Sequence, residues 1–317
     1  MSRNEPAPAV RVADPSEWHA GLSLALAPLA ASARGPLIDH VQSSGPHPMG
    51  PLDALVVACD GDRVSAACWL QPSAGRVAVC WAPRWHGARP AVADATEREM
   101  LAAACRVADN AGLSICQLLS DDEADPALPA AVAAGFRRVA RLRYVAARPP
   151  KRPPESPPTV SFTPSESLRA SAFRALVEST YRDSLDCPAL DGLRRVEDTL
   201  AGYRAIGRHD PRHWLVARDA STAEPVGVLL LAEHPTSNQL ELVYVGVAPE
   251  ARGRRLGAAM LTHTTRVAHA LGVDEIVAAV DEANAPALRM YDRAGYRGWT
   301  ARAVYVRPRG GWQSVRE

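Results

Sequence analysis

The C-terminal half of this 317-residue chain sets a carboxylate, a basic glycine loop and an asparagine–tyrosine block one after another. Glu241 opens the run Glu241-Leu-Val-Tyr-Val-Gly-Val-Ala-Pro249, which is rich in strand formers. A carboxylate entering an apolar strand is costly unless water or a partner meets it, and partial burial suits it to accept a proton near neutral pH. The next residues include Arg252-Gly-Arg-Arg-Leu-Gly-Ala258. Gly253 and Gly257 let backbone N–H groups turn toward a ligand, a helix opening near Gly257 presents its positive end, and Arg252, Arg254 and Arg255 add charge. Such a loop seats a diphosphate. A proton acceptor at one end of a strand and a diphosphate cradle at the other are what transfer from a nucleotide-linked acyl donor requires.

The surrounding pattern supplies elements to position these groups. Period-two alternation places Glu241, Val243, Val245 and Val247 on one face of the strand Gln239–Val247, and Leu242, Tyr244 and Gly246 on the other. Strands are expected at Val160–Phe162, Trp214–Arg218, Val226–Glu233, Glu275–Asp281 and Trp299–Val306. Helices are expected from Ser165 to about Ser179, from Gly192 to Ile206, and from Gly257 to Leu271, where apolar residues recur at helical spacing and Gly272 stops the helix. Another begins near Pro286. Alternating helices and strands give an α/β class with a mixed, mostly antiparallel sheet flanked by helices.

Composition limits the alternatives. Lys and Arg number 36 against 35 acidic residues, a net charge of +1, so no basic excess invites nucleic acid. No apolar run reaches membrane-spanning length, which leaves a cytoplasmic protein without a membrane partner as the expectation. The 6 cysteines form no C-x-x-C pair, so reduced core thiols are expected and no metal. Gly21 to Ala33 is apolar, but Asp14, Glu17 and His19 precede it, which argues for an amphipathic helix over a signal peptide.

The segment Asn284-Ala-Pro-Ala-Leu-Arg-Met-Tyr291-Asp-Arg-Ala-Gly-Tyr296 completes a resemblance. Together with Glu241–Pro249 and Arg252–Ala258 it resembles the signature of the GNAT acetyltransferase superfamily. Arg252 and Gly257 match the ends of that superfamily's loop pattern, whereas Arg255 stands where a glycine is usual. The resemblance implies acetyl-coenzyme A as acyl donor, its phosphates at Arg252, Gly253, Arg254, Arg255, Leu256, Gly257 and Ala258, and its arm at Asn284 and along the backbone of Val245 and Val247. It also implies Glu241 as general base, eight residues before Pro249, and Tyr291 as the acid facing sulfur. Acceptor specificity falls to the segment between the first two helices of the domain, where Tyr181, Asp183 and Asp186 are candidates; Asp183 equally suits a helix-capping role.

The chain carries this plan twice. Gly112–Arg137 aligns without gaps on Gly272–Arg297 at an offset of 160 residues, sharing Pro126-Ala-Leu128 with Pro286-Ala-Leu288. Three proline pairs between Arg148 and Thr159 suggest an extended spacer. Residues 1–148 are thus expected to form a GNAT-like domain without catalysis, 149–158 a linker, and 159–317 the catalytic domain. In the first copy Ala131 and Ala124 stand where Tyr291 and Asn284 do in the second, and only Arg84 and Arg89 could hold a phosphate. A tandem layout of this length resembles the GNAT members that acetylate an amino-sugar–inositol cysteine conjugate. The acceptor is therefore read as a small-molecule primary amine of that or another kind, or an amino terminus, with oligomeric state open. The alternative is a non-catalytic, regulatory acyl-coenzyme A binding module.

Overall fold

The computed structural model describes residues 7–43, 50–155 and 159–314. The chain divides into two compact units, residues 1–139 with 303–317, and residues 140–302. The proline-rich stretch lies within the second. Its described part, 149–155, has no regular structure, and two of its carbonyls are held, that of Pro154 by Arg266 Nη1 at 2.6 Å and that of Lys151 by His269 Nε2 at 3.3 Å.

The chain runs β1 (Ala9–Val12), α1 (Trp18–Ala25), α2 (Ala31–Ser43), β2 (Leu55–Asp60), β3 (Arg63–Ser73), β4 (Val77–Trp85), α3 (Ala93–Asn110), β5 (Ile115–Ser120), α4 (Leu128–Ala133) and β6 (Arg137–Ala147). It continues through β7 (Val160–Pro164), α5 (Ala170–Tyr181), α6 (Val196–Arg204), β8 (Trp214–Asp219), β9 (Pro225–His234), β10 (Gln239–Val247), α7 (Leu256–Leu271), β11 (Glu275–Asp281), α8 (Ala285–Arg293) and β12 (Arg297–Pro308). The strands expected at Gln239–Val247 and Glu275–Asp281 appear with those bounds. The single helix expected over Gly21–Ala33 is two, because Pro28 lacks an N–H and would clash with the preceding turn, so α1 stops at Ala25 and α2 starts at Ala31. Ser165 and Glu166 open only a single 3₁₀ turn, and α5 begins afresh at Ala170.

In the first unit β1 to β5 lie in chain order, and the second half of β12 pairs antiparallel with β5 from Ala303↔Ser120 to Pro308↔Ile115. All neighbours are antiparallel except β4 and β5, parallel from Val77↔Ile115 to Val79↔Gln117. In the second unit the order is β7-β8-β9-β10-β11-β6, antiparallel except for β10 and β11. β6 here takes the place at the outer side of β11 from Ile276↔Ala147 to Asp281↔Leu142. Each unit is thus a mostly antiparallel sheet with one parallel pair, the pair a helix must bridge.

That bridging helix is α7 in the second unit, whose Leu256, Met260, Leu261 and Ala268 pack with Leu240, Leu242, Ile276 and Val280 on one sheet face. Each buried Leu, Ile, Val or Met side chain there contributes about 1.5–3 kcal/mol. On the other face Phe173 and Val177 of α5 and Leu200 of α6 meet Trp214, Val216, Val228 and Leu230. The repeat seen in sequence recurs in conformation: Gly112 and Gly272 end their helices at φ 75° and 68°, and Gly135 and Gly295 sit at φ 94° and 88°.

Candidate active site

The parallel pairing of β10 with β11 ends at Leu242↔Ala278, so from Val243 onward the edge of β10 toward β11 has no strand partner among the described residues. A cavity of about 240 Å³ opens there, lined by β10 from Leu242 to Gly246, by Ala279 and Val280, by the start of α8, and by the 180–186 segment. Asp183, Asp186, Val245, Arg252, Asn284 and Tyr291 all reach it. Glu241, Val247 and Tyr181 are not on its wall, nor are the loop residues from Gly253 to Ala258.

The faces of β10 differ from simple alternation. Leu242 pairs with Leu231 but Tyr244 with Leu230, which makes Val243 the extra residue of a β-bulge. Val245 and Val247 therefore point with Leu240 and Leu242 toward α7, and Val243 and Tyr244 toward α5 and α6. Glu241 does not share a face with Val245 and Val247; the bulge flips the register between them. Its side chain is about a third exposed, and its Oε2 accepts a hydrogen bond from His234 Nε2 at 2.7 Å. Sequence reasoning overlooked His234. The turn Pro235–Asn238 places it opposite Gln239 on β9, two positions along from Glu241, the diagonal at which long side chains meet. Gly207 lies so near that a Cβ there would come 3.0 Å from the imidazole.

The basic loop divides into two functions. Arg252 turns inward: its guanidinium donates to the carbonyls of Thr180, Arg182, Asp183 and Val247 at 2.6–3.2 Å. It thereby ties the carbonyl end of α5 to β10, where a cation offsets unpaired carbonyls. Arg254 is paired with Asp219, a buried carboxylate that also accepts from the Ser221 hydroxyl and the Ser221 and Thr222 N–H groups. The hydroxyl and the guanidinium hold Asp219 well below the usual carboxylate range. Arg255 adopts φ 60°, so the backbone shape that a glycine would give is kept without one. Leu256, Gly257 and Ala258 open α7, whose first turn has no side-chain cap and no acidic residue. Its leading N–H groups lack intrahelical partners, the ordinary condition of an anion seat. Gly257 packs close to Met290, whose sulfur lies 2.7 Å from where a Cβ would stand, so a larger residue there would make that flexible side chain shift.

Asn284 caps α8 by accepting from Ala287 N–H at 3.2 Å. Nearly two helical turns later Tyr291 is buried against Tyr296, the rings 5.2 Å apart and edge-on. Burial raises the Tyr291 phenol well above its ordinary range, with Tyr296 and Asp186 adding to the effect, so it stays protonated. Asp186 reaches the same space from the 183–187 turn. Its Oδ1 accepts from Asp281 N–H at 3.1 Å, while Asp281 Oδ2 accepts from Cys187 N–H at 3.1 Å. Asp186 is itself exposed to the cavity, but the protein packed around it raises its carboxyl, offset in part by the Asp281 N–H. Tyr181 lies behind, edge-on to Tyr244 at 5.4 Å, and Tyr244 donates or accepts at Thr180 Oγ1, 2.7 Å away. Asp183 is exposed and left-handed at φ 54°. Elsewhere Asp210, His213 and Glu233 gather within 4.8 Å, but Arg212 and Arg208 already hold the two carboxylates.

A sheet opened by one splayed parallel pair, with an uncapped helix start near its wide end, defines the GNAT class of acyltransferase. The model of the acetyltransferase (GNAT) family matches residues 176–296. A mycothiol acetyltransferase of Thermobispora bispora is 30% identical over 274 residues, 81% of this chain and 85% of that protein. The chain belongs to the GNAT acetyltransferase family and is an N-acetyltransferase. A mycothiol acetyltransferase of Stackebrandtia nassauensis is 35% identical over 98 residues, a match that spans only 32% of that protein. In fold the chain is similar to a GCN5-related N-acetyltransferase from Sphaerobacter thermophilus, with TM-score 0.58, 19% identity and 95% of both chains covered. It is also similar to a tandem GNAT protein from the clavulanic acid pathway, with TM-score 0.50, 16% identity, and 93% and 94% covered. No helix among the described residues is long and apolar enough to cross a membrane.

Proposed function

We propose that the second unit acetylates the primary amine of a small acceptor, an amino-sugar–cysteinyl conjugate of the kind implied by its mycothiol acetyltransferase relatives, and that residues 1–148 form a copy without catalysis. The observation that carries this is the cavity between β10 and β11, with the Tyr291 side chain in its wall and the unpartnered edge of β10 beside it.

The residues fit acetyl-coenzyme A. The open edge of β10 at Val245 and Val247 offers backbone groups to an amide-bearing arm, and Asn284 stands across the opening. The N–H groups of Arg255, Leu256, Gly257 and Ala258 face a diphosphate with the positive end of α7 behind them. Arg255 is the loop's uncommitted cation in this reading, Arg252 and Arg254 shaping the loop from within. Bound there, the donor supplies an activated acetyl group.

Glu241 takes a proton from the acceptor ammonium through water and later returns it to solvent, while the imidazole N–H of His234 holds its carboxylate in place. The bulge at Val243 frees backbone N–H for a developing oxyanion near Val245. Tyr291, kept protonated by burial, holds its proton where a leaving sulfur needs one.

Release of coenzyme A, monitored over a panel of amino sugars, cysteinyl conjugates, polyamines and peptides, tests the reading. Acceleration is expected with the cysteinyl amino sugar, and Glu241→Gln should lower kcat about a hundredfold near neutral pH. Thiol release that no amine accelerates would defeat it.

A further inference from the structure

One large aromatic side chain is left in water beside the site. Trp299, near the start of β12, is 65% exposed, and its ring lies 5.7 Å from that of Tyr144 on β6 at an interplanar angle of 54°. The Arg302 guanidinium sits 5.5 Å from the centre of the Tyr144 ring. A single exposed apolar side chain is ordinary on a protein surface, but this indole stands beside a second ring and a guanidinium, a grouping that can recognise a ligand ring.

Strand register ties this aromatic pair to the proposed catalytic residues. Glu241 pairs with Val277, and two residues on, Ala279 pairs with Tyr144. Paired residues point to the same face, and so do residues two apart, so Glu241, Val277, Ala279 and Tyr144 share one face of the sheet. Ala279 is exposed and lines the cavity. Along this register the strip between carboxylate and aromatics is built of Val277 and Ala279, neither of them bulky. From β10 to β12 are three strand spacings, and with the two-residue offset the span is about 15 Å.

The geometry points to Trp299 and Tyr144 as the acceptor's ring subsite, stacking the C–H face of a sugar or cyclitol while the amine reaches toward Glu241. The ligand class is set by the surface. The indole is unenclosed, so it suits a ring whose edge hydroxyls stay in water, with the Arg302 guanidinium at the border of the aromatic pair. A purely apolar side chain would seek an enclosed pocket instead. This assignment rests on the acyl-transfer reading above, but binding can be read apart from turnover.

The test uses the full chain and three probes that share a cysteinyl amine and differ in the group attached to its carboxyl end: cysteinyl glucosaminide, cysteine methyl ester, and a cysteinyl-phenylalanine dipeptide. Trp299→Ala should lower the ratio of kcat/KM for the glucosaminide to that for the methyl ester by about tenfold, mostly through KM, and Trp299→Phe should restore most of it. Saturation-transfer NMR on the wild type should show stronger transfer to the sugar ring protons than to the cysteinyl protons, a difference abolished in Trp299→Ala. An equal loss with all three acceptors would mark Trp299 as merely structural. A ratio shift confined to the dipeptide, or ring protons that show no transfer, would also overturn the assignment. If no acceptor is acetylated, the NMR arm still decides whether a ring binds.

Discussion

The two units solve the same folding problem and then treat one helix end in opposite ways. Both splay a parallel pair, β4 with β5 and β10 with β11, and both bridge it with a long helix. In the second unit α7 starts without acidic residues or a side-chain cap. In the first, Asp94 lies in the opening turn of α3 and Glu97 comes three residues later, and both bind Arg89, while Arg84 is paired with Asp125. The buried Glu97 also accepts from Trp85 Nε1 at 2.7 Å. The arginines that sequence alone offered for a phosphate are thus satisfied by the unit's own carboxylates, whose charge already occupies the helix end. Where Tyr291 stands in one unit, Ala131 lies wholly buried in the other. A shared backbone therefore carries two different helix openings, and only in the second unit does an uncapped one accompany a buried tyrosine at this position.

Substitutions can push each half of this contrast. The largest effect is expected from Tyr291→Phe, which keeps the buried ring and removes only the hydroxyl. It should lower kcat about 10²–10³-fold with little change in the thermal midpoint, as single-turnover measurements and calorimetry would show. Next, Ala258→Glu gives α7 the acidic opening turn of α3. We expect acetyl-coenzyme A to bind about five- to tenfold more weakly at low salt, the deficit shrinking as salt is raised in a calorimetric titration.

Smaller changes sharpen the loop itself. Because the Ser221 hydroxyl and Arg254 lower the Asp219 pKa in the folded protein, its contribution to stability is complete above the ordinary carboxylate range. It is lost as pH falls from about 4 through the folded value. Asp219→Asn should therefore flatten the acid limb of a urea-midpoint profile while lowering stability at neutral pH. Arg255→Gly relieves a left-handed residue and should raise stability by about 1 kcal/mol, with a modest loss of donor affinity.

What the sequence revealed was local. The bounds of β10 and β11 and the stop at Gly272 come from strand formers and a glycine read in place. The bulge at Val243 left no mark, since Leu-Val-Tyr-Val reads as a regular strand with either face inward, and so the neighbours of Glu241 were misplaced. Charge in the loop was visible, but not which arginine turns inward: Arg252 is spent on carbonyls some seventy residues earlier, contacts that only folding brings together. His234 was hidden for the same reason, its importance coming from register across a hairpin. The strand pattern also could not show which unit β12 completes, because its residues would suit either.

The way β6 and β12 are apportioned bears on how such a gene can be trimmed or can evolve. A fragment starting at Thr159 would leave β11 with a raw edge from Ile276 to Asp281, since the residues that cover it lie at 142–147. A fragment stopping at Arg148 would likewise strip β5 of Ala303–Pro308. Neither repeat is a self-sufficient cassette, since cutting between them leaves the backbone hydrogen-bonding groups of a strand edge without partners.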